Sequence, residues 1–298
     1  MVLKKLLSFA LILTLLLGIL SGCNNASDDK IVVSGKMWTE QYILTHMIAE
    51  LLKEKTDLTV EVKEGLGEVS ILTPALEKGD IDIYVEYTGT GLEAVLKEKV
   101  QPGEAADEIL ARVRKGYKEK YNVVWLEALG FENTYTLAYR KGEGIEAKTY
   151  SDLSEYASEL IFGAPHQFYE REDGYDALAE TYGFSFKEKK SYDPNIMYEA
   201  LKKGDVDIIP AFTTDGRIER YDLGTTKDDK GFFPPYYAVP IVRQEVLDAH
   251  PEVEEVLNLL AGQISEEDMT SLNAKVDIDQ EDPREVARQF LKEKGLIN

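Results

Sequence analysis

Apolar and polar positions alternate along the chain with two periods, one typical of helices and the other of strands. Residues 39–55 place apolar side chains three and four positions apart, which predicts a helix, and the short apolar runs 31–34 and 58–62 on either side predict strands. A helix at 68–78 and a strand at 81–85 follow. Because parallel strands need crossover connections, this β-α-β-α-β order predicts a parallel sheet.

One stretch of this pattern occurs twice, since residues 76–90 return with the same order of residue types at 201–215. Each copy predicts a helix end marked by glycine, a short apolar strand, an aromatic residue and a hydroxyl-rich turn. The spacing is too wide for a solenoid repeat, so it predicts two similar α/β lobes. Ligands of open α/β sheets bind beyond the carboxyl ends of the strands. We therefore expect Tyr87 and Phe212 to face each other across a cleft.

The rest of the pattern assigns the chain to these two lobes. The further predicted elements are helices at 105–121, 173–182 and 194–203 and strands at 123–126, 160–163 and 206–209. Two extended apolar segments, 134–140 and 236–242, are expected to cross between the lobes, and residues from 244 onward are predicted to be helical. If the second crossover returns the chain, lobe 1 comprises 31–133 plus 238–298 and lobe 2 comprises 134–237.

The amino terminus has the features of a secretory signal. Lys4 and Lys5 precede an apolar run at 6–20, and small residues lead into Cys23, the single cysteine. That ending resembles the lipobox of bacterial lipoproteins, which implies a leader at 1–22 and a lipid on Cys23; the alternative is an ordinary signal peptide with a chance cysteine. A polar tether is expected at 23–30. With one cysteine, neither an intramolecular disulfide nor a cysteine zinc site can form.

The charge of the chain excludes some partners. It has 34 basic and 55 acidic residues and a formal net charge of −21. Such a surface repels nucleic acid and keeps the protein soluble beside a membrane, and it needs no explanation beyond a solvated exterior. We expect no nucleic-acid partner and a monomer.

Little in the sequence indicates an enzyme. The three histidines, His46, His166 and His250, lie in unrelated contexts without metal-ligand spacing. His46 and His250 are expected to be structural, whereas His166 follows a strand end near the predicted cleft. No glycine-rich phosphate loop and no nucleophile elbow is present in the sequence. We therefore expect no catalysis, no cofactor and no metal.

Four aromatic residues are predicted at strand ends or crossovers: Tyr87, Tyr135, Phe212 and Tyr236. Any one of them alone reads as an ordinary core residue. All four are expected to meet at one cleft, however, and converging ring faces recognise a cation that has no N–H to donate, such as trimethylammonium. The set predicts a cation-binding cage.

Three further residues could hold a carboxylate at the other end of such a ligand. Lys36 and Thr90 lie where a strand leads into a helix, and Arg171 occupies the matching place in the second half. A guanidinium can donate two parallel N–H bonds to a carboxylate, and a lysine and a hydroxyl can complete its coordination. Surface salt bridges are the alternative for Lys36 and Arg171. Together with the cage, these groups favour a zwitterion.

Five segments in order resemble the substrate-binding proteins of osmoprotectant ABC transporters, which capture glycine betaine, proline betaine, carnitine or choline. These segments are residues 35–44, 86–90, 168–171, 210–215 and 228–236. The resemblance covers essentially the whole chain after the leader. It implies a type II periplasmic-binding-protein fold of two α/β lobes joined by two crossover segments.

The resemblance also implies a cage of four tyrosines at positions 87, 135, 212 and 236, with the ligand carboxylate at Lys36, Thr90 and Arg171. Phe212 departs from that pattern, but its ring keeps the π face, so trimethylammonium binding is expected to survive. An acidic residue in place of Thr90 would suit choline better. We therefore expect betaine-type zwitterions.

The resemblance further implies partners and a location. We expect a binding protein outside the cytoplasm, anchored to the membrane by lipid, which closes on its ligand and delivers it to an ABC permease with an ATPase subunit. Two alternatives remain open. One is a protein of the same fold for another solute, such as an amino acid or an anion, and the other is an extracellular enzyme or adhesion lipoprotein.

Overall fold

The computed structural model describes residues 30–101, 104–170 and 174–298. The predicted leader, the lipidation residue Cys23 and the predicted carboxylate ligand Arg171 lie outside these described residues. Ile31–Asn298 forms one compact unit. Within the described ranges, no helix combines the length and the apolar character that crossing a membrane would require.

The strands of the described residues form two five-stranded sheets. They are β1 (Lys30–Ser34), β2 (Thr59–Lys63), β3 (Ile83–Tyr87), β4 (Val123–Trp125), β5 (Tyr135–Arg140), β6 (Ile161–Pro165), β7 (Glu188–Tyr192), β8 (Ile208–Phe212), β9 (Leu223–Thr226) and β10 (Ala238–Arg243). The first sheet has the order β2-β1-β3-β10-β4, and the second has the order β7-β6-β8-β5-β9. Each sheet with its helices forms one lobe, which confirms the predicted two-lobed α/β fold.

Helices cover both sheets. They are α1 (Thr39–Lys55), α2 (Val69–Lys78), α3 (Ala106–Tyr121), α4 (Tyr150–Leu153), α5 (His166–Glu170), α6 (Tyr175–Tyr182), α7 (Pro194–Lys203), α8 (Gly216–Arg220), α9 (Gln244–Ala249), α10 (Glu252–Leu257), α11 (Glu266–Asp277) and α12 (Pro283–Glu293). Short 3-10 turns lie at Ala157–Glu159 and Asn258–Leu260, and a π-helical segment spans Thr90–Val95.

Both sheets are mixed. The parallel pairing predicted for the β-α-β-α-β unit is confirmed for β1 and β3, and each sheet also contains an antiparallel strand. β1 pairs with β3 in parallel, but β10 lies antiparallel between β3 and β4. In the second lobe β6 pairs in parallel with β7 and β8, while β5 lies antiparallel between β8 and β9. The two antiparallel insertions are the strands that follow the crossovers, because each enters its new lobe against the direction of the resident strands.

The repeated sequence forms the same structure twice. Helices α2 and α7 both end at a glycine in the left-handed conformation, Gly79 with φ of 78° and Gly204 with φ of 82°, and each leads into a central strand, β3 or β8. In each copy, the repeated aspartate forms an ion pair with an arginine on the antiparallel strand of its sheet. Arg243 lies 3.0 Å from Asp82, and Arg140 lies 2.9 Å from Asp207.

The two crossovers run side by side. Glu132 and Tyr237 form an antiparallel bridge, and the N–H of Asn133 donates to the carbonyl of Tyr236 at 3.0 Å. The chain therefore passes between the lobes twice at one place, as a hinge requires.

A second contact between the lobes lies where α8 packs on α11. A Cβ on Gly216 would collide with the backbone nitrogen of Ala274, so only glycine allows this approach. The Thr270 hydroxyl donates to the carbonyl of Thr213 at 3.1 Å, and the Asn273 amide donates to the carbonyl of Thr214 at 2.8 Å. Helix α11 therefore contacts α1 of the first lobe as well as α8 of the second.

The carboxyl-terminal helix is fixed to α1 by a buried carboxylate. Glu50 accepts from Arg284 at 2.9 Å, from Arg288 at 2.6 Å and from Lys53 at 3.1 Å. Burial alone would raise the pKa of Glu50, but these three cations lower it to about 2. The pair of helices is therefore joined by a carboxylate that stays ionised in neutral solution.

Candidate functional site

A cavity of about 460 Å³ lies between the two lobes. Its walls come from the ends of β1, β3 and β8, the start of α1, the crossovers, α8 and α11. The lining residues are Lys36, Trp38, Thr39, Glu40, Tyr87, Thr90, Asn133, Tyr135, Phe212, Thr214, Asp215, Arg217, Tyr236, Asn273 and Asp277. Six of the seven predicted ligand contacts are thus brought to one cavity, and the seventh, Arg171, lies outside the described residues.

The predicted cage residues come from different parts of the fold. Tyr135 and Phe212 are paired neighbours on β5 and β8, with ring centroids 4.7 Å apart at an angle of 34°. Phe212 is 45% exposed, so much of its ring faces open space. The Tyr236 ring packs against the turn that follows β3. A Cβ on Gly89, in that turn, would lie 2.7 Å from the Cε1 atom of Tyr236. Tyr87, the last residue of β3, also lines the cavity.

A fifth ring, Trp38, lines the cavity and was missed by the sequence reasoning. It stacks on Tyr87 with ring centroids 6.2 Å apart at an angle of 22°. Tyr87 itself is only 3% exposed. The first lobe therefore offers Trp38 as the more accessible of two stacked rings. The signal was present, because Trp38 lies inside the motif at residues 35–44.

Lys36 is buried and already has a partner. Its ammonium forms an ion pair with Glu86, whose side chain is fully buried and also accepts from the hydroxyl of Tyr84 at 3.1 Å. The same ammonium lies 4.9 Å from the ring centroid of Tyr87 and 5.4 Å from that of Trp38. These two rings therefore already stabilise an ammonium group. A ligand carboxylate would have to share Lys36 with Glu86.

Glu40, also missed from the sequence, connects several walls of the cavity. It accepts hydrogen bonds from the Tyr87 hydroxyl, from Asn133 at 2.9 Å and from Asn273 at 3.3 Å. Burial raises its pKa, and these neutral donors only partly oppose that effect. Glu40 fixes the Tyr87 ring and links it to the hinge at Asn133.

Arg217 and Asp215 form a salt bridge on the wall that the second lobe contributes to the cavity. The guanidinium donates from Nε at 2.9 Å and from Nη2 at 2.6 Å to the two carboxylate oxygens, and its central carbon lies 3.9 Å from the ring centroid of Tyr198. Burial opposes the charge of Arg217, but Asp215 raises its pKa. The arginine is thus held rigidly between a carboxylate and a ring.

The remaining predicted groups have simple placements. Thr90 begins the π-helical segment after β3 and lines the cavity. His166 lies on the exposed surface, 3.1 Å from Glu170, and His46 pairs with Glu64. In the described part of the chain, no group of three or more His, Cys, Asp or Glu side chains could hold a metal ion.

This fold and cleft define a two-lobed solute-binding protein of the class that serves ABC importers. Residues 29–293 match the family described as the substrate binding domain of the ABC-type glycine betaine transport system, OpuAC. The chain belongs to this family.

Similar proteins and structures extend the comparison. The carnitine transport binding protein OpuCC of Listeria monocytogenes is 36% identical over 283 residues, which cover 93% of this chain and 91% of that protein. The ergothioneine transport permease/ergothioneine binding protein EgtU of Helicobacter pylori is 36% identical over 276 residues, 91% of this chain but only 49% of that protein. This chain therefore spans about half of the EgtU length. A crystal structure of a glycine betaine/carnitine/choline ABC transporter protein matches with a TM-score of 0.85 at 32% identity, covering 90% of this chain and 100% of that one.

Proposed function

We propose that this protein captures small trimethylammonium carboxylates outside the cytoplasm and delivers them to an ABC permease driven by an ATPase subunit. The observation that carries the proposal is the arrangement of five aromatic side chains from both lobes around one cavity. A methylated cation has no N–H to donate, so it gains little from hydrogen-bond acceptors and much from ring faces. The names of the relatives support this class, since carnitine, glycine betaine and ergothioneine all combine a trimethylammonium group with a carboxylate.

The proposed cation site comprises Tyr87, Tyr135, Phe212 and Tyr236, to which the geometry adds Trp38. Each ring contributes about 0.5–2 kcal/mol. Together with an anchor for the carboxylate, this is sufficient for a Kd in the micromolar range, about 8 kcal/mol.

The proposed anchors for the carboxylate are Arg171, Thr90 and Lys36. Because Lys36 is paired with Glu86, we assign the largest share of the carboxylate's binding free energy to Arg171. Arg171→Ala should therefore weaken glycine betaine far more than choline, which has no carboxylate. Equal losses for both ligands would point to a structural role of Arg171.

Binding is proposed to act by hinge closure. The lobes, 31–133 with 238–298 and 134–237, rotate about the paired crossovers, and a ligand that contacts both walls favours the closed form. The permease then recognises that form, and nothing is chemically transformed. A diacyl lipid on Cys23 would keep the monomer near its permease, since a single acyl chain binds a membrane weakly.

The test is isothermal titration calorimetry of the purified protein with glycine betaine, carnitine, choline, ergothioneine and glycine. We expect micromolar binding of at least one trimethylammonium carboxylate and none of glycine, which has the same carboxylate but no methyl groups. Binding of unmethylated amino acids or simple anions alone would support another solute class. No response to any small solute would favour an extracellular lipoprotein without a transport role.

A further inference from the structure

A second cavity, of about 220 Å³, lies in the second lobe beside the cage. We call it the side chamber. Tyr135, Phe212, Asp215 and Arg217 line both cavities, so the two spaces share one wall. Phe212, 45% exposed, is the most open part of that wall. A ligand whose cation lies against Phe212 therefore has the side chamber next to it.

Apart from Tyr198, the rest of the side chamber is lined by apolar residues. Pro165 ends β6, Phe168 lies on α5, Met197 lies on α7, and Pro210 and Ala211 lie on β8. Phe168 and Met197 are each 4% exposed and Ala211 is 3% exposed, so the chamber is built from core side chains. Such a wall favours a hydrocarbon or aromatic group over water.

The polar edge of the chamber is Arg217. Its Nε and Nη2 groups are occupied by Asp215, and the Tyr198 hydroxyl donates to the same carboxylate at 2.7 Å. The ion pair is thus satisfied inside the protein, and it does not require a ligand charge. Recognition in this chamber would rest on shape and apolar burial.

The space available is also larger than the smallest ligand of the proposed class needs. The main cavity alone falls within the range of about 300–1,000 Å³ that suits drug-sized ligands. Glycine betaine carries no side chain and would leave the side chamber unused.

We propose that the side chamber is a subsite for an apolar or aromatic side chain on the α-carbon of a trimethylammonium carboxylate. The inference rests on the proposed function, because the cage must hold the methylated nitrogen. The preferred ligand class is then betaines of larger amino acids, in addition to the unsubstituted one.

The experiment compares glycine betaine with the N,N,N-trimethyl derivative of phenylalanine by titration calorimetry. The wild-type protein should bind the phenylalanine derivative at least as tightly as glycine betaine. Ala211→Leu, which fills the chamber, should weaken the phenylalanine derivative about tenfold or more and leave glycine betaine within about twofold. Ile196→Ala is the matched control, because Ile196 lies next to Met197 on α7 but is 57% exposed, and it should change neither affinity.

Three results would overturn the inference: a wild type that binds glycine betaine but not the phenylalanine derivative, an Ala211→Leu variant that weakens both alike, or one that weakens neither. If Ala211→Leu does not fold, Met197→Ala takes its place. That variant enlarges the chamber and should favour the trimethyl derivative of tryptophan over that of phenylalanine; an unchanged ratio contradicts the proposal. If the wild type binds no trimethylammonium compound at all, the proposed function itself fails.

Discussion

Phe212 offers the cleanest perturbation of the proposed cage. It takes the place of a tyrosine that the family resemblance implies, and it is 45% exposed in the cleft. Its principal ring contact is with Tyr135, at 4.7 Å between centroids. Because the ring is only partly buried, Phe212→Ala should lower the free energy of unfolding by about 1 kcal/mol or less.

The effect on binding should be larger than the effect on stability. Removing one ring from a desolvated cation costs about 1–2 kcal/mol, which corresponds to about 5–30-fold weaker binding. Phe212→Tyr keeps the π face, so it should bind glycine betaine within about threefold of the wild type. Comparing the affinities of the two variants separates the contribution of the ring from that of a tyrosine hydroxyl.

Titration calorimetry with glycine betaine measures the affinities, and urea unfolding measures the stabilities. Leu259→Ala is the control, because Leu259 is 43% exposed in a 3-10 turn of the first lobe, away from the cavity. It should not change the Kd. An unchanged Kd for Phe212→Ala, or the same loss in the Leu259 variant, would refute the assignment of Phe212 to the cage.

Three further substitutions test the framework. Glu50→Gln should lower the free energy of unfolding, measured by urea titration, by about 2–3 kcal/mol at pH 7. Glu50 has a pKa of about 2 in the folded protein against an ordinary 4.5, so its ionised form stabilises the fold above pH 4.5. The difference between the variant and the wild type should therefore disappear as the pH falls towards 2. Lys36→Met leaves Glu86 buried without its cation and should cost about 3–5 kcal/mol in the same assay. Gly216→Ala forces a Cβ against Ala274 and should cost about 1–3 kcal/mol in thermal unfolding.

For each substitution, the opposite outcome would contradict the structure. A constant difference for the Glu50 variant across acid pH would mean that the carboxylate is not ionised in the folded state. A fully stable Lys36 variant would mean that its ammonium is not paired in the interior. An unaffected Gly216 variant would mean that α8 and α11 are not in close contact.

The sequence predicted those elements that bury one regular apolar face. Helix α1 has the predicted bounds, because apolar residues spaced three and four apart extend from end to end between Thr39 and Lys55. Strand β7 was missed, since its sequence EKKSY has no apolar alternation and it pairs with β6 through its backbone. The direction of β5 and β10 was also missed, because strand direction depends on where a crossover enters the sheet.

The candidate site was predictable where the residues lie at strand ends. Tyr87 and Phe212 were found because the repeat places them at equivalent positions on β3 and β8. Asn273 was not, because it lies on a helix almost at the end of the chain, and its contact with the cavity depends on how α11 packs against α8. Arg217 follows β8 in the second lobe and has the appearance of an ordinary surface residue until its pairing with Asp215 is seen.

A crystal structure of the protein with glycine betaine tests the central claim most directly. We predict that the trimethylammonium nitrogen lies within about 6 Å of ring centroids from both lobes, with Trp38 or Tyr87 on one side and Tyr135 or Phe212 on the other. A ligand bound elsewhere, or one whose methylated nitrogen contacts rings of one lobe only, would contradict the account.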